Sequence, residues 1–339
     1  MRRAPLPLAV LVSASLLLAG CGGGDDGSPS SESSSPAAQK VAGGATLDAT
    51  WPLTGLPVSG DQSASQDHPV LVAKMDNTAS SAPQIGLGKA DMVVEELVEG
   101  GLTRLAAFYY SQIPGTVGPV RSMRASDVGI VSPVDADVVT SGAAPRTIAL
   151  IKNAGIRFFG EGTKGFARDN SRPAPYNLFA NLSEVASTIK QGDKRPADYL
   201  PWGDEKDLPK GVAAKTMAAQ FSGGHTTDWV YRGGGYINEN TYAADGDEFP
   251  ADTVLVLRVQ EGDAGYLDPA GNHVPETKLV GKGAAMLFHG GRMVRGTWSK
   301  DKLDSPLQLS TKGGKLTVPA GHTWIELVPA QGGNVTFKK

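Results

Sequence analysis

One cysteine, Cys21, occurs among the 339 residues, so no disulfide can form within the chain and a zinc site built on several thiolates is excluded. Other signatures are missing as well. The sequence has no Gly-x-Ser-x-Gly elbow, no loop ending in Gly-Lys-Ser/Thr and no His-Glu-x-x-His, which removes the common serine-hydrolase, nucleotide-cradling and zinc-protease readings. Beyond the first twenty residues no run approaches the ~18 apolar residues of a membrane-spanning helix. Neither sign of charge dominates: 32 Lys and Arg face 35 Asp and Glu, for a net −3, which argues against a nucleic acid as partner.

The isolated cysteine gains meaning from its place. Arg2 and Arg3 precede an apolar stretch, Leu6 to Leu18, too short to span a bilayer, and Leu18-Ala19-Gly20-Cys21 follows. This is the pattern of a lipoprotein signal peptide, residues 1–20. The expectation is a cell-membrane protein held on the extracytoplasmic face by acyl chains, palmitate among them, on Cys21. Cleavage there would remove Arg2 and Arg3 and move the net charge to −5. Residues 21–46 are rich in Gly, Ser, Asp and Pro and read as a flexible linker, with a mean reach on the order of 25–30 Å.

Two regions follow. In residues 47–210, strands are expected at 69–75, 91–98, 102–110 and 137–140, where β-branched and aromatic residues fill short runs, and helices at 145–153 and 183–191. This pattern predicts an α+β or α/β domain with a mixed sheet. In residues 211–339, glycine turns separate extended runs at 253–259, 284–289, 292–298, 316–318 and 324–328. Gly290-Gly291 and Lys312-Gly313-Gly314-Lys315 read as hairpin turns, so the second region is expected to be a mostly β domain, folding independently. The abundance of Gly and Pro, 43 and 23 residues, fits so many turns.

Three groups of side chains could carry chemistry. The five histidines, His68, His225, His273, His289 and His322, stand singly beside turns and read as surface or locally satisfied residues. Glu95, Glu96 and Glu99 crowd the end of the second strand, where alternation sends Glu95 and Glu99 to one face and Glu96 to the other. Arg104, Arg121, Arg124, Arg168 and Arg172 fall in or beside loops. The planar guanidinium fork grips phosphate or carboxylate bidentately, so these five are the candidate ligand-binding residues for an anion. Asp91, Glu95, Glu99 and Asp169 are candidate acidic partners, and Asp127 lies close by. Arginines tied to such carboxylates would instead lock loops together. Trp229, Tyr231, Tyr236, Trp298 and Trp324 read as strand packing, with a ligand groove as the alternative. No metal site or cofactor is expected.

Longer blocks carry a resemblance. Trp51-Pro-Leu-Thr-Gly-Leu-Pro57, Ala90-Asp-Met-Val-Val-Glu-Glu-Leu-Val-Glu-Gly-Gly-Leu-Thr-Arg104, Val117-Gly-Pro-Val-Arg-Ser-Met-Arg124, Phe166-Ala-Arg-Asp-Asn-Ser-Arg172 and Pro175-Tyr-Asn-Leu178 resemble the YerB-like bacterial lipoproteins, a family built on a two-part domain of unknown function. Tyr176 stands where the family pattern leads to a histidine. Trp229-Val-Tyr231, Gly281-Lys-Gly-Ala284, Gly296-Thr-Trp298 and Gly321-His-Thr-Trp-Ile325 resemble the family's C-terminal part. The order of Asp91-Met-Val-Val94 and the arginine segment ending at Arg124 is also similar to LytR-CpsA-Psr enzymes, which move glycopolymers from polyprenyl pyrophosphate carriers onto the cell wall. That likeness implies that Asp91 positions a metal or an arginine while Arg121 and Arg124 neutralise pyrophosphate.

The leading expectation is a lipid-anchored envelope protein that binds an anionic wall polymer or lipid-linked precursor in an arginine-lined cleft. Whether it is an enzyme is left open. The alternatives are a LytR-CpsA-Psr-like transferase and an assembly scaffold without a small ligand.

Overall fold

A computed structural model describes residues 50–60, 62–190 and 194–339. The signal sequence, Cys21 and all of the expected linker lie outside these residues. The first strand, β1 (Leu71–Asp76), is buried along its whole length, Lys74 included. A strand covered on both faces has no need to alternate apolar with polar residues. It pairs antiparallel with β3 (Thr103–Tyr109), which forms a hairpin with β2 (Met92–Leu97). β4 (Asp137–Val139) adds parallel to β1, and β5 (Phe158–Phe159) adds parallel to β4. The strands expected in this region thus form to within about two residues, and the sheet is mixed.

Helices are few and short. α1 (Asp127–Val131), α2 (Pro145–Asn153) and α3 (Leu182–Ala186) are the α-helices among the described residues. α2 matches its expected span, with Pro145 at its first turn. α3 is shorter than the expected 183–191. Its cap is Asn181, whose side chain accepts from Glu184 N, and the Ser187 and Thr188 hydroxyls then donate to the carbonyls of Glu184 and Val185 at 2.7 Å each. Those hydroxyls give the backbone an alternative to another helical turn.

The later region is mostly β, as expected. The strand Thr253–Leu267 runs well past residue 259 and carries an irregularity between Asp263 and Leu267. Gly281–His289 and Arg292–Lys300 form the first glycine hairpin, with His289 opposite Arg292 and positive φ at both Gly290 (57°) and Gly291 (69°). Gln308–Thr311 and Gly314–Lys315 form the second.

One sheet spans both regions. Thr323–Pro329 lies parallel between Thr253–Leu267 and β2, with Glu326 in register with Glu95. The later strands are thereby joined edge to edge to β2, β3, β1, β4 and β5, and residues 47–339 form one compact unit. α1, α2 and the Trp51–Leu53 segment pack on one face of this sheet. On the other lie α3 and a four-stranded sheet ordered Gly235–Asn238, Thr226–Arg232, Thr216–Gln220 and Asn334–Lys338.

Candidate functional site

Strand alternation sorts the polar residues of β1–β3 into two groups on opposite faces. Asp76 and Glu96 both stand opposite Arg104, on either side of it, and Lys74 shares their face by period two. Lys74 Nζ lies 2.6 Å from Glu96 Oε1 and 2.7 Å from Asp127 Oδ1, and all three side chains are fully buried. Burial raises the Glu96 carboxyl above its ordinary range despite Lys74.

The segment after β3 hydrogen-bonds to the end of β1, Asp76 N donating to the Pro119 carbonyl at 3.1 Å and Arg121 N to the Lys74 carbonyl at 2.7 Å, and it contributes two more arginines. Arg124 holds Glu99 bidentately, Nε donating to Oε2 at 2.8 Å and Nη2 to Oε1. Arg104 Nη2 stands 3.9 Å from the same Oε1, while its Nη1 donates to the Ser122 carbonyl at 2.9 Å. Arg121 Nε donates to Asp76 Oδ2 at 2.9 Å, and its guanidinium lies 5.3 Å from the centre of the Tyr176 ring. Arg121 is the most accessible of the three, its side chain 21% exposed against 6% for Arg104 and 10% for Arg124.

Electrostatics mark Arg104 as the strained member. Burial, then the charges of Arg124 and Arg121, lower its pKa to about 10, with Glu99 and Asp76 opposing. Its Nε is buried without a hydrogen-bond partner. Glu99 is pushed up by burial, but the hydrogen bond and charge of Arg124 and the charge of Arg104 bring it below the usual carboxylate range. Nearby Glu261, absent from the sequence-derived candidates, is raised to about 8 by burial and then by Glu96, in opposition to a bond from Thr277.

The remaining candidates are held elsewhere. Arg168 pairs with Glu161 at 2.5 and 2.6 Å and with Asn177 at 2.7 Å, on the surface. Arg172 donates to the carbonyls of Ser81 (3.1 Å) and Pro83 (2.8 Å), lies over Phe179, and has Asp169 at 3.4 Å. Asp169 also accepts from Ser171 N and Oγ. Asp91 precedes β2, five residues and roughly 17 Å of extended strand from Glu96. Its carboxylate accepts from Tyr110 N (2.6 Å), Ser111 N (3.0 Å) and Ser111 Oγ, which ties a turn rather than orienting an arginine. Glu99 and Glu95 do not share a face. The strand ends at Leu97, and the turn over Glu99–Gly101 carries Glu99 round to the arginines.

Glu95 instead enters a buried cluster on the opposite face. His225 Nε2 lies 2.8 Å from Oε1, Asn77 Nδ2 donates to Oε1 at 3.0 Å, Thr227 Oγ1 lies 3.0 Å from both oxygens, and Trp324 Nε1 donates to Oε2 at 3.2 Å. Its register partner Glu326 accepts from Trp229 Nε1 at 2.7 Å. Burial, then the charge and hydrogen bond of Glu95, hold Glu326 well above the usual range. Burial pushes Glu95 up too, but the hydrogen bond and charge of His225 bring it below; His225 itself, lowered by burial, is raised overall by Glu95. Burial and the neighbouring charge thus favour the protonated form at Glu326, while His225 favours the ionised form at Glu95. Sequence reading passed over Glu326, and it took His225 for a surface or locally satisfied residue without linking it to Glu95. The available signal was a glutamate two residues after Trp324 in an otherwise apolar strand, which alternation puts beside the tryptophan.

The matches to known proteins follow this architecture. Residues 53–195 match the family model described as "Protein of unknown function (DUF3048) N-terminal domain", and residues 217–325 match the corresponding C-terminal domain. The chain belongs to this two-part family. "Putative lipoprotein YerB" of Bacillus subtilis strain 168 is 28% identical over 292 residues, 82% of this chain and 86% of the relative. A crystal structure of YerB from Bacillus subtilis has the same fold, with a TM-score of 0.68 at 21% identity, covering 85% of this chain and 99% of that one. The YerB-like resemblance read from the sequence blocks is thus established.

Proposed function

We propose that the chain is a lipoprotein, anchored through Cys21 to the extracytoplasmic face of the cell membrane, that binds an anionic envelope component at Arg104, Arg121 and Arg124. The YerB relative's description as a lipoprotein supports the anchor. One observation carries the binding reading: three guanidinium groups crowd around Glu99 and Asp76, and the buried Arg104 keeps an unpartnered Nε. Arg121, accessible and backed by the Tyr176 ring, is the entry to the cluster.

The test replaces Arg121 or Arg124 by Lys and measures binding of inorganic pyrophosphate and wall-polymer fragments at two salt concentrations. A point-like ammonium loses the bidentate grip. Each lost charge-assisted bond should cost ~1.5–3 kcal/mol, roughly ten- to a hundredfold in affinity. Equal binding by the wild type and both variants, or no binding by any, would reject the site.

A second reading, an assembly scaffold, is favoured by the internal partners of Arg124, Arg168 and Arg172. It predicts a loss of melting temperature in the Lys variants with no ligand effect. The transferase reading has less support, because Asp91 is spent on a turn. An open groove of about 790 Å³ lined by Arg232, Tyr236, Phe249 and Trp324 also includes none of the five arginines.

A further inference from the structure

We propose that Glu99 is a built-in occupant of the arginine site, filling the place of a phosphate-bearing ligand and swinging out when that ligand arrives. The inference rests on the anion-binding reading above and names both the ligand's chemistry and the residue it displaces.

The argument begins with the way the carboxylate is held. Arg124 presents Nε and Nη2 in a side-on fork, and both Glu99 oxygens are used by it. That is the geometry in which arginine receives a planar or tetrahedral oxyanion. Arg104 is left short. Its Nη2 is 3.9 Å from Glu99 Oε1, beyond hydrogen-bond reach, and its Nε has no partner although the residue is only 5% exposed. A carboxylate has no third oxygen to offer, whereas a phosphoryl group with three non-bridging oxygens keeps one free after filling the Arg124 fork. The same seat therefore suits a tetrahedral phosphoryl group better than the glutamate now in it.

Glu99 is also placed to leave. It sits at the tip of the β2–β3 hairpin, closed by Val98 N donating to the Leu102 carbonyl at 2.8 Å, and its side chain is 16% exposed. Gly100 follows with φ of 72° and open space where a side chain would project. Rotation of the Glu99 side chain toward solvent breaks its arginine contacts and the hydrogen bond from its own backbone N–H. The far side of the turn stays pinned by Ser222 Oγ, which donates to the Gly101 carbonyl at 2.6 Å. Lys74, Glu96 and Asp127 keep their own pairing beneath.

The test compares the full-length chain in detergent with its Glu99→Gln and Glu99→Asp variants by calorimetric titration. The probes are inorganic pyrophosphate and short-chain dihexanoyl phosphatidic acid, whose phosphoryl groups each carry three non-bridging oxygens. Glu99→Gln keeps the side-chain shape without the competing charge and should bind pyrophosphate about tenfold more tightly than wild type. Glu99→Asp keeps the charge on a shorter arm and should give a smaller gain, which preserves the test if the Gln variant folds poorly. Tighter binding of pyrophosphate alone points to a free or terminal phosphate, and tighter binding of both probes to a lipid headgroup. Wild type that binds while neither variant binds more tightly would overturn the displacement and leave the anion site standing. No binding by any form would remove the anion site itself.

Discussion

Lys74 is held from two sides by carboxylates in the core of the sheet. Its ammonium is fully buried and shared by Glu96 and Asp127, an arrangement whose desolvation cost is offset only while all three groups are present. Lys74→Met should therefore cost about 3–5 kcal/mol in urea unfolding, because it strands two buried carboxyl groups. Adding Glu96→Gln should recover part of that loss; no recovery would mean that the apolar packing of the lysine stem matters more than its charge. Glu326 makes a prediction in pH. Its folded pKa is raised above the ordinary 4.5, so its contribution to stability is fully present below that value and is lost as pH rises through the folded one. His225, also raised, acts in the same direction, and Glu95, lowered, acts oppositely on the acid side. Glu326→Gln mimics the protonated form, so its melting temperature should fall less than that of wild type as pH is raised above 4.5. Parallel melting curves would show that the proton is not held at this position.

At the scale of elements, the sequence is most legible where the signal is local. The His289–Arg292 hairpin is readable because two consecutive left-handed positions demand residues such as Gly-Gly. Its glycines are unequal, and that is testable. A Cβ on Gly290 would come no closer than 3.4 Å to Glu205 Oε1, whereas one on Gly291 would meet the Tyr231 ring at 2.8 Å. Gly290→Asn should thus change stability by only a few tenths of a kcal/mol, and Gly291→Ala should cost more than the ~1 kcal/mol of the backbone conformation alone. Equal costs would mean that the ring moves aside freely. The β1–β3 strands were legible for the same local reason, and so was the opposition of Glu95 to Glu96. The fate of Glu99 was not, because alternation stops with the strand and a turn decides the direction. Nor was the Glu95 cluster, since Trp324 reaches Glu95 from 229 residues away and no local pattern encodes which strands meet. The arginines were identified as a chemical type, yet only Arg104, Arg121 and Arg124 converge.

At the scale of the whole molecule, the position of Thr323–Pro329 decides how the two regions depend on each other. Composition changes near residue 211, which falls between the end of the first family model at 195 and the start of the second at 217, and this favours an independent C-terminal fold. The sheet argues otherwise. Thr323–Pro329 is buried at every position and is hydrogen-bonded to Thr253–Leu267 on one side and to β2 on the other. A fragment of residues 212–339 would lose β2 and leave this apolar strand as an exposed edge, the arrangement that invites aggregation. It would also remove Glu95 and Asn77 from around His225, Trp324 and Glu326. The fragment should accordingly self-associate or melt without a cooperative transition, while residues 47–339 melt as one unit in which every probe reports the same midpoint. A monomeric 212–339 fragment with a β-type circular dichroism spectrum and a sharp melt would show that Thr253–Leu267 alone holds the strand. The β2 pairing would then be a docking contact between two folded bodies, and the buried Glu95–Glu326 pair a feature of that contact rather than of one continuous core.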